Sequence, residues 1–247
     1  AEDISLEALD GLSISAERGH ILAAIETSLA GKLDSKIAKH LSSLALEAGE
    51  AIIKDGIADA TRVKVIHQSG GSMLDTELIT GLAIPKTRIH SEMKERGGPG
   101  SILLLDGGLE KRQLRIDAKL NVTSVGMMEE FRRAETAALL KQVENLKAIG
   151  CDLVVCREGV DDDARQALAN AGILAYRRVE RKDMELLSRS CGANIVIDAK
   201  RATADDLGAF ISTREELSGG VNHWILDAEE GGATLIAKGS TSDVISE

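Results

Sequence analysis

Aromatic residues are scarce in this sequence, and long apolar runs are absent from it. The 247 residues include one Trp, one Tyr and two Phe, so a hydrophobic core has to be built mainly from aliphatic side chains. Apolar runs such as 102–105 are far shorter than the roughly 20 residues of a membrane-spanning helix. Residues 1–5 have neither a basic start nor an apolar stretch, so no signal peptide is apparent. We expect a soluble, folded protein with no membrane partner.

Cysteine is also scarce, and the histidines do not stand at the spacing of metal ligands. The three cysteines are Cys151, Cys156 and Cys191, and an odd number at wide spacing favours a reducing compartment over a disulfide framework. Cys151 and Cys156 flank a short apolar stretch and have no histidine nearby. We therefore expect a cytoplasmic location and no metal site.

Positive charge is in deficit. The chain has 30 Lys and Arg against 40 Asp and Glu, which gives a formal net charge of −10. Such a chain repels phosphate at long range, so we expect no nucleic-acid partner. The densest basic cluster, at 177–182, is interleaved with acidic residues, a pattern typical of a solvated, salt-bridged surface.

The first third of the sequence has the pattern of two helices and one strand. Apolar residues at every fourth position predict a helix over 16–29, and a longer stripe predicts a second helix over 34–55. Residues 61–68 alternate between apolar and polar, which predicts a strand. Gly70-Gly71 then marks a turn and a domain boundary.

From residue 70 onward, short strands alternate with helices. Strand–helix–strand–helix–strand order predicts a parallel α/β layer. Gly219-Gly220 marks a second boundary, so we expect an α/β domain inserted into a discontinuous α+β domain. The predicted strands are 78–84, 101–106, 114–119, 153–155, 173–176, 195–197, 221–226 and 233–238, and the predicted helices are 127–149, 162–171 and 183–191.

Glycine pairs recur along the chain, but neither of the common phosphate-binding patterns is present. One alternative interpretation is that 151–198 form a small-molecule-binding α/β enzyme, with its ligand at the carboxyl ends of the strands. That interpretation needs a phosphate loop or paired catalytic groups after Val155 or Tyr176, and the residues found there are not diagnostic. We therefore assign no catalytic residue.

The segment that leads into the long predicted helix is unusually apolar for its polar surroundings. It contains Val125, Met127, Met128 and Phe131, and the last two share a helix face because they are three residues apart. These side chains either pack the start of the helix against the hydrophobic core of the same protein or form an exposed adhesive patch. Methionine suits the second role because its flexible side chain adapts to many partner shapes.

Short strings along nearly all of the chain match one known family in order and in register. On these residues the chain resembles the group II-like chaperonins, the archaeal thermosome type. The strings are 27–32 (TSLAGK), 70–81 (GGSMLDTELITG), 159–162 (GVDD), 172–179 (GILAYRRV), 183–187 (DMELL), 192–196 (GANIV) and 206–208 (DLG).

The resemblance implies both an architecture and a site. Residues 1–69 and 219–247 correspond to the family's intermediate domain, and 70–218 correspond to its apical domain. Within the latter, 122–149 correspond to the helical protrusion that serves as the built-in lid of a folding chamber. In the family, non-native clients bind near the protrusion and along the helix and loop matching 158–171. The client-binding residues expected here are Val125, Met127, Met128, Phe131, Glu158, Arg165 and Leu168.

The resemblance also implies what the chain does not do by itself. Full-length relatives bind ATP and Mg in an equatorial domain with Gly-Asp-Gly-Thr-Thr and Asn-Asp-Gly motifs, and these motifs do not occur here. The family's water-activating aspartate follows the stretch that matches 241–247. We expect no cofactor and no ATP hydrolysis by this chain, although Lys32 aligns with the family's phosphate-sensing lysine. The expected activity is passive holding of unfolded proteins, with sister subunits in a double ring as further partners of the full-length protein. An adaptor that binds folded partners remains an alternative.

Overall fold

The structure, a computed structural model, describes residues 17–54, 56–111, 125–218, 220–229 and 231–240. The chain divides into two compact units. The first comprises Ala1–Ile79 and Thr234–Glu247, and the second, Thr80–Ala233, is inserted between those two pieces.

The described elements are five helices and fourteen strands, apart from short 3-10 turns. The helices are α1 (Arg18–Leu29), α2 (Ser35–Ala51), α3 (Val125–Ala148), α4 (Asp162–Ala171) and α5 (Arg181–Cys191). The strands are β1 (Ile53–Lys54), β2 (Ile57–Ala58), β3 (Val63–Ser69), β4 (Glu77–Thr80), β5 (Leu82–Ile84), β6 (Arg96–Gly97), β7 (Gly100–Leu105), β8 (Leu153–Cys156), β9 (Leu174–Tyr176), β10 (Ile195–Val196), β11 (Gly208–Phe210), β12 (Ser212–Ser218), β13 (Val221–Asp227) and β14 (Ala233–Gly239).

The first unit is closed by contacts between the two ends of the described chain. Strand β14 lies between β3 and β4 in a three-stranded sheet, although it follows them by more than 150 residues. Two hydrogen bonds from Lys238 fix this register: its backbone N–H donates to Thr76 Oγ1 at 3.1 Å, and its Nζ donates to Glu77 Oε1 at 3.0 Å. Helix α2 begins where the Asp34 carboxylate accepts the Lys36 N–H, which satisfies one of the open donors of its first turn.

The second unit contains a mostly parallel sheet in the order β10-β7-β8-β9, with β11 antiparallel to β7. Strand β7 is covered on both faces, since Ile102, Leu103 and Leu104 have no exposed surface. This is why the strand has a continuous apolar run rather than an alternating pattern. Helix α3 packs against α4 and contributes a buried stripe of Leu139, Val143 and Leu146.

A second, antiparallel sheet of this unit has the order β5-β13-β12-β6. Its Trp224 stacks on Tyr176 of β9, with ring centroids 4.1 Å apart and ring planes inclined by 15°. The indole Nε1–H donates to Thr213 Oγ1 at 2.7 Å. This aromatic pair joins the two sheets into one aliphatic core, and the hydrogen bond satisfies the buried polar end of the indole.

The α/β class and the parallel order predicted from the sequence are confirmed. The predicted strand over 78–84 is interrupted at Gly81, whose φ of +98° favours glycine and where a Cβ would lie 2.6 Å from the Leu226 carbonyl oxygen. The predicted strand over 114–119 lies outside the described residues. The polar strand β12 was not predicted.

The boundaries between the units differ from those expected at 69/70 and 218/219. The structure divides the chain at 79/80 and 233/234. Strand β13 pairs with β12 from Ser218↔Val221 to Ser212↔Asp227, so the expected boundary at 218/219 falls between two paired strands of one sheet. Likewise, the Gly70 N–H donates to the Gly239 carbonyl at 2.8 Å, which keeps Gly70 inside the first unit.

We predict that Thr213→Val destabilises the protein, whereas Thr213→Ser does not. Valine leaves the buried Trp224 Nε1–H without an acceptor, which costs about 1–3 kcal/mol, while serine keeps the hydroxyl. Urea unfolding followed by the fluorescence of the single tryptophan measures the difference. Equal unfolding free energies for wild type and Thr213→Val would show that this hydrogen bond does not stabilise the fold.

We also predict that the three cysteines do not react in the folded protein. Burial raises the pKa of Cys151 and Cys156 to about 12 and that of Cys191 to about 11. At pH 8 these thiols therefore stay protonated, and only the thiolate attacks a disulfide reagent. An aromatic disulfide reagent at pH 8 should label all three thiols in urea and none in native buffer. Rapid labelling in native buffer would contradict their placement in the core.

Candidate functional site: a cleft at the carboxyl ends of the parallel strands

The second unit has a cleft of about 660 Å³ beside its parallel sheet. Its described walls are the residues that follow three parallel strands, together with one face of α3. Residues 106–111 follow β7, Glu158 follows β8, and residues 197–200 follow β10. Because parallel strands end at the same edge of a sheet, this fold brings segments that are distant in sequence into one site.

One wall is the middle of α3. Phe131, Ala134, Glu135, Ala138 and Gln142 line the cleft at helical spacing. Leu139 and Val143, from the same stretch of the helix, hold this wall in place because they are buried in the core. Phe131 remains 42% exposed.

The opposite wall is the segment after β10, in which Ile197 is 77% exposed. This segment is tied to α3 by Asn145, whose Nδ2 donates to the carbonyls of Ala199 at 2.8 Å and Ala202 at 3.1 Å. It is tied to the loop after β7 by the Asp106 N–H, which donates to the Val196 carbonyl at 2.7 Å. Ile197 is therefore exposed on a wall fixed by hydrogen bonds.

Gly107 and Gly108 form part of the lining and allow a close approach of the surrounding backbone. A Cβ on Gly108 would lie 2.5 Å from the Gly159 carbonyl oxygen. A Cβ on Gly107 would lie 3.0 Å from the Ile197 carbonyl oxygen. The Leu109 N–H donates to the Gly159 carbonyl at 3.0 Å. This glycine pair is required by close packing between the loops.

Charges around the cleft are mostly negative. Asp106 is held by Arg157 and, at 3.1 Å, by Arg181. The Lys111 ammonium contacts Asp163 at 2.6 Å, and this hydrogen bond raises the pKa of Lys111. The Lys111 side chain therefore remains charged at neutral pH. The described lining contains the carboxylates Asp106, Glu110, Glu135, Glu158 and Asp198 and the ammonium groups Lys111 and Lys200.

The structure brings together part of the expected client-binding set. Phe131 and Glu158 both line the cleft, and Glu158 is exposed. Val125, Met127 and Met128 lie in the first turn of α3, but their side chains are outside what the structure describes.

Two expected residues on α4 do not line the cleft. Arg165 is partly buried and forms an ion pair with Asp162, one turn earlier on the same helix. Leu168 has no exposed surface, because it lies with Ala164 on the face of α4 that joins the core. The expectation that Leu168 contacts a client directly is therefore corrected.

Ile197 was missed by the sequence reasoning. It was assigned to a strand over 195–197, whereas β10 ends at Val196. The available signal was the change from apolar Ile195-Val196-Ile197 to Asp198, which marks the end of the strand. Periodicity alone did not show that the last apolar residue is exposed.

Lys32 lies in the first unit, in the turn between α1 and α2. Gly31 adopts a φ of +80°, and the Lys32 N–H donates to the Leu29 carbonyl at 3.2 Å. The Lys32 side chain is exposed. A short turn of this kind presents the ammonium group to solvent.

Across the described ranges, no helix combines the length and the apolar character needed to cross a bilayer. In that same part of the chain, no three His, Cys, Asp or Glu residues are grouped in a way that could hold a metal ion.

Comparison with known proteins gives one consistent result. The sequence profile of the TCP-1/cpn60 chaperonin family matches residues 1–247. The thermosome subunit beta of Methanothermobacter thermautotrophicus is 31% identical over 250 residues, which cover 100% of this chain and 46% of that protein. The thermosome subunit alpha of Thermoplasma acidophilum is 33% identical over 227 residues, which cover 90% of this chain and 42% of that protein.

A solved structure, the open-state monomer of a group II chaperonin from Methanococcoides burtonii, superposes with a TM-score of 0.74 at 27% identity. The match covers 99% of this chain and 57% of that one. The chain thus spans less than half the length of the two thermosome subunits.

Proposed function

Since this chain belongs to the TCP-1/cpn60 chaperonin family, we propose that its second unit captures non-native protein for a group II-like chaperonin. The proposal rests on the exposure of Phe131 and Ile197 in one cleft. The other aromatic residues of the chain, Trp224, Tyr176 and Phe210, are buried. Leaving large apolar groups in water forgoes the stabilisation that burial would bring, so their exposure at a rigid site favours a binding role.

The energetics favour weak capture by a single copy. Burying one Phe, Ile or Met side chain contributes about 1.5–3 kcal/mol. Three or four such contacts give on the order of 5–10 kcal/mol, against an association cost of at least about 4 kcal/mol. The net affinity is then roughly micromolar to millimolar. Several copies in a ring raise the avidity by about 10²–10⁴, so a client is held firmly by many subunits and is still released from each one.

We assign the remaining family roles on the same basis. Val125, Met127 and Met128, which precede Phe131 in the sequence, take the family's role of apolar client contacts, and Glu158 and Arg165 take that of polar client contacts. The first unit corresponds to the intermediate domain and the second to the apical domain, with α3 in the lid-forming protrusion. Sister subunits assemble into a double ring in the cytoplasm, and ATP with Mg is bound and hydrolysed by the full-length subunit.

A small-molecule enzyme is the competing interpretation, because ligand sites in α/β sheets also lie at the carboxyl ends of strands. The described lining of the cleft contains no Ser, Thr, Cys or His. The arrangement of exposed apolar groups on two fixed walls fits a polypeptide better than a reacting small molecule. An adaptor that binds folded partners would instead form a complex of defined stoichiometry.

We predict that Phe131→Ser/Ile197→Ser abolishes the ability of this chain to suppress aggregation of a chemically unfolded test protein. Both changes remove exposed apolar surface without opening the core. The matched control is Leu217→Ser on β12, which removes an apolar side chain that is 67% exposed and lies outside the lining of the cleft. Light scattering at tens of micromolar chain, near the affinity estimated above, measures protection with and without ATP.

Protection by wild type and control, loss in the double variant and no effect of ATP are expected. A separate variant, Met127→Ser/Met128→Ser, tests the client-binding role of these two residues and should protect less than the wild type. Equal protection by the wild type and the Phe131→Ser/Ile197→Ser variant would exclude the cleft as the capture site. Protection that requires ATP would contradict passive holding.

Lys32 is expected to matter only for the coupling of ATP to release. In a full-length subunit that carries this segment, Lys32→Ala should slow ATP-driven release of a bound client while leaving capture unchanged, because the exposed lysine supplies a charge for the phosphate. Lys36→Ala removes an exposed lysine from the first turn of α2 and serves as the control. Identical release kinetics for the two variants would show that Lys32 does not sense the phosphate of ATP.

A further inference from the structure

We propose that the cleft selects extended client segments in which apolar residues alternate with lysine or arginine. This inference rests on the proposed capture function and specifies the chemistry of its substrate. It follows from the position of carboxylates around the two exposed apolar side chains.

The described lining of the cleft has more negative than positive side chains. Its five carboxylates and two lysines give a formal charge of −3. Three further residues pair with this lining, namely Arg157 and Arg181 with Asp106, and Asp163 with Lys111. Together they add one positive charge, so the balance over these described residues becomes −2 and the described lining remains acidic.

Two of the carboxylates, Glu110 and Glu135, form no salt bridge within the described part of the chain, although Glu135 is near enough to attract the Lys111 ammonium group. Glu135 lies one helical turn from Phe131 on the same face of α3. Glu110 is exposed on the loop after β7.

The apolar and acidic groups are therefore interleaved on both walls. Phe131 is followed by Glu135 on α3, and Ile197 is followed by Asp198 after β10. A segment that places an aliphatic or aromatic side chain against Phe131 and Ile197 brings its neighbouring side chains close to carboxylates. Lysine or arginine at those neighbouring positions gains attraction, while aspartate or glutamate there is repelled.

The test uses three labelled peptides of equal length with the same apolar residues, separated by Lys, Ser or Glu. Fluorescence anisotropy at low salt measures their affinities for this chain. Two exposed charge pairs of ordinary strength give the Lys peptide about three- to tenfold tighter binding than the Ser peptide. The Glu peptide should bind more weakly than the Ser peptide, and the differences should shrink as salt screens the charges.

A pair of matched variants distinguishes the effect of the cleft carboxylates on peptide binding from the effect of the protein's overall negative charge. Glu110→Gln/Glu135→Gln should lower the Lys-to-Ser affinity ratio, because it neutralises two of the five carboxylates of the described lining. Glu144→Gln/Glu229→Gln changes the net charge by the same amount at exposed positions outside the lining and should keep the ratio.

The outcomes separate this inference from the capture function. If all three peptides bind equally and Phe131→Ser/Ile197→Ser abolishes their binding, the charge preference is wrong and capture stands. If the chain protects an unfolded protein but binds no peptide, selection of short extended segments is also wrong. If the Lys peptide binds Phe131→Ser/Ile197→Ser as tightly as wild type, its binding is nonspecific attraction, and the inference is overturned. If there is neither protection nor peptide binding, the capture function itself fails.

Discussion

The burial of one strand, β7, is the constraint on which the second unit depends. One edge of β7 pairs with β8, and the other edge is shared between β11, at Gly100–Ile102, and β10, at Leu104-Leu105. Its hydrogen-bonding groups are satisfied in this way while its side chains are covered on both faces. The strands β7, β8 and β10 run parallel and end at one edge of the sheet. The cleft walls that follow them are thus a consequence of how β7 is paired.

Large apolar groups are distributed unequally between core and cleft. Trp224 and Tyr176 join the two sheets, and Phe210 packs over Gly100, where a Cβ would lie 2.8 Å from its ring. Phe131 and Ile197 instead remain in solvent on walls fixed by Leu139, by Asn145 and by backbone hydrogen bonds. Since other side chains form the core, the exposure of Phe131 and Ile197 leaves the fold intact. It also provides a preorganised surface for a flexible partner.

Several parts of this molecule could be predicted because they depend on local pattern. The helix predicted over 127–149 is α3 at 125–148, since its apolar stripe has helical period. The parallel order followed from strand–helix alternation. Strand β12 was missed because its sequence, Ser212–Ser218, is mostly polar and lacks the apolar alternation that predicts a strand. The boundary predicted at 218/219 differs from the division of the compact units at 233/234, because a glycine pair alone does not distinguish a linker from a connection between paired strands.

Residue order and local periodicity were enough to predict the family, the α/β class and the apolar character of the segment around Phe131. Which apolar residues face the cleft depended instead on the packing of distant parts of the chain. Leu168 and Ile197 are both aliphatic, yet one has no exposed surface and the other is 77% exposed. The difference depends on where a helix face and a strand end fall relative to the sheet. Exposure and the grouping of distant carboxylates arise from long-range packing, for which a single sequence has no local signal.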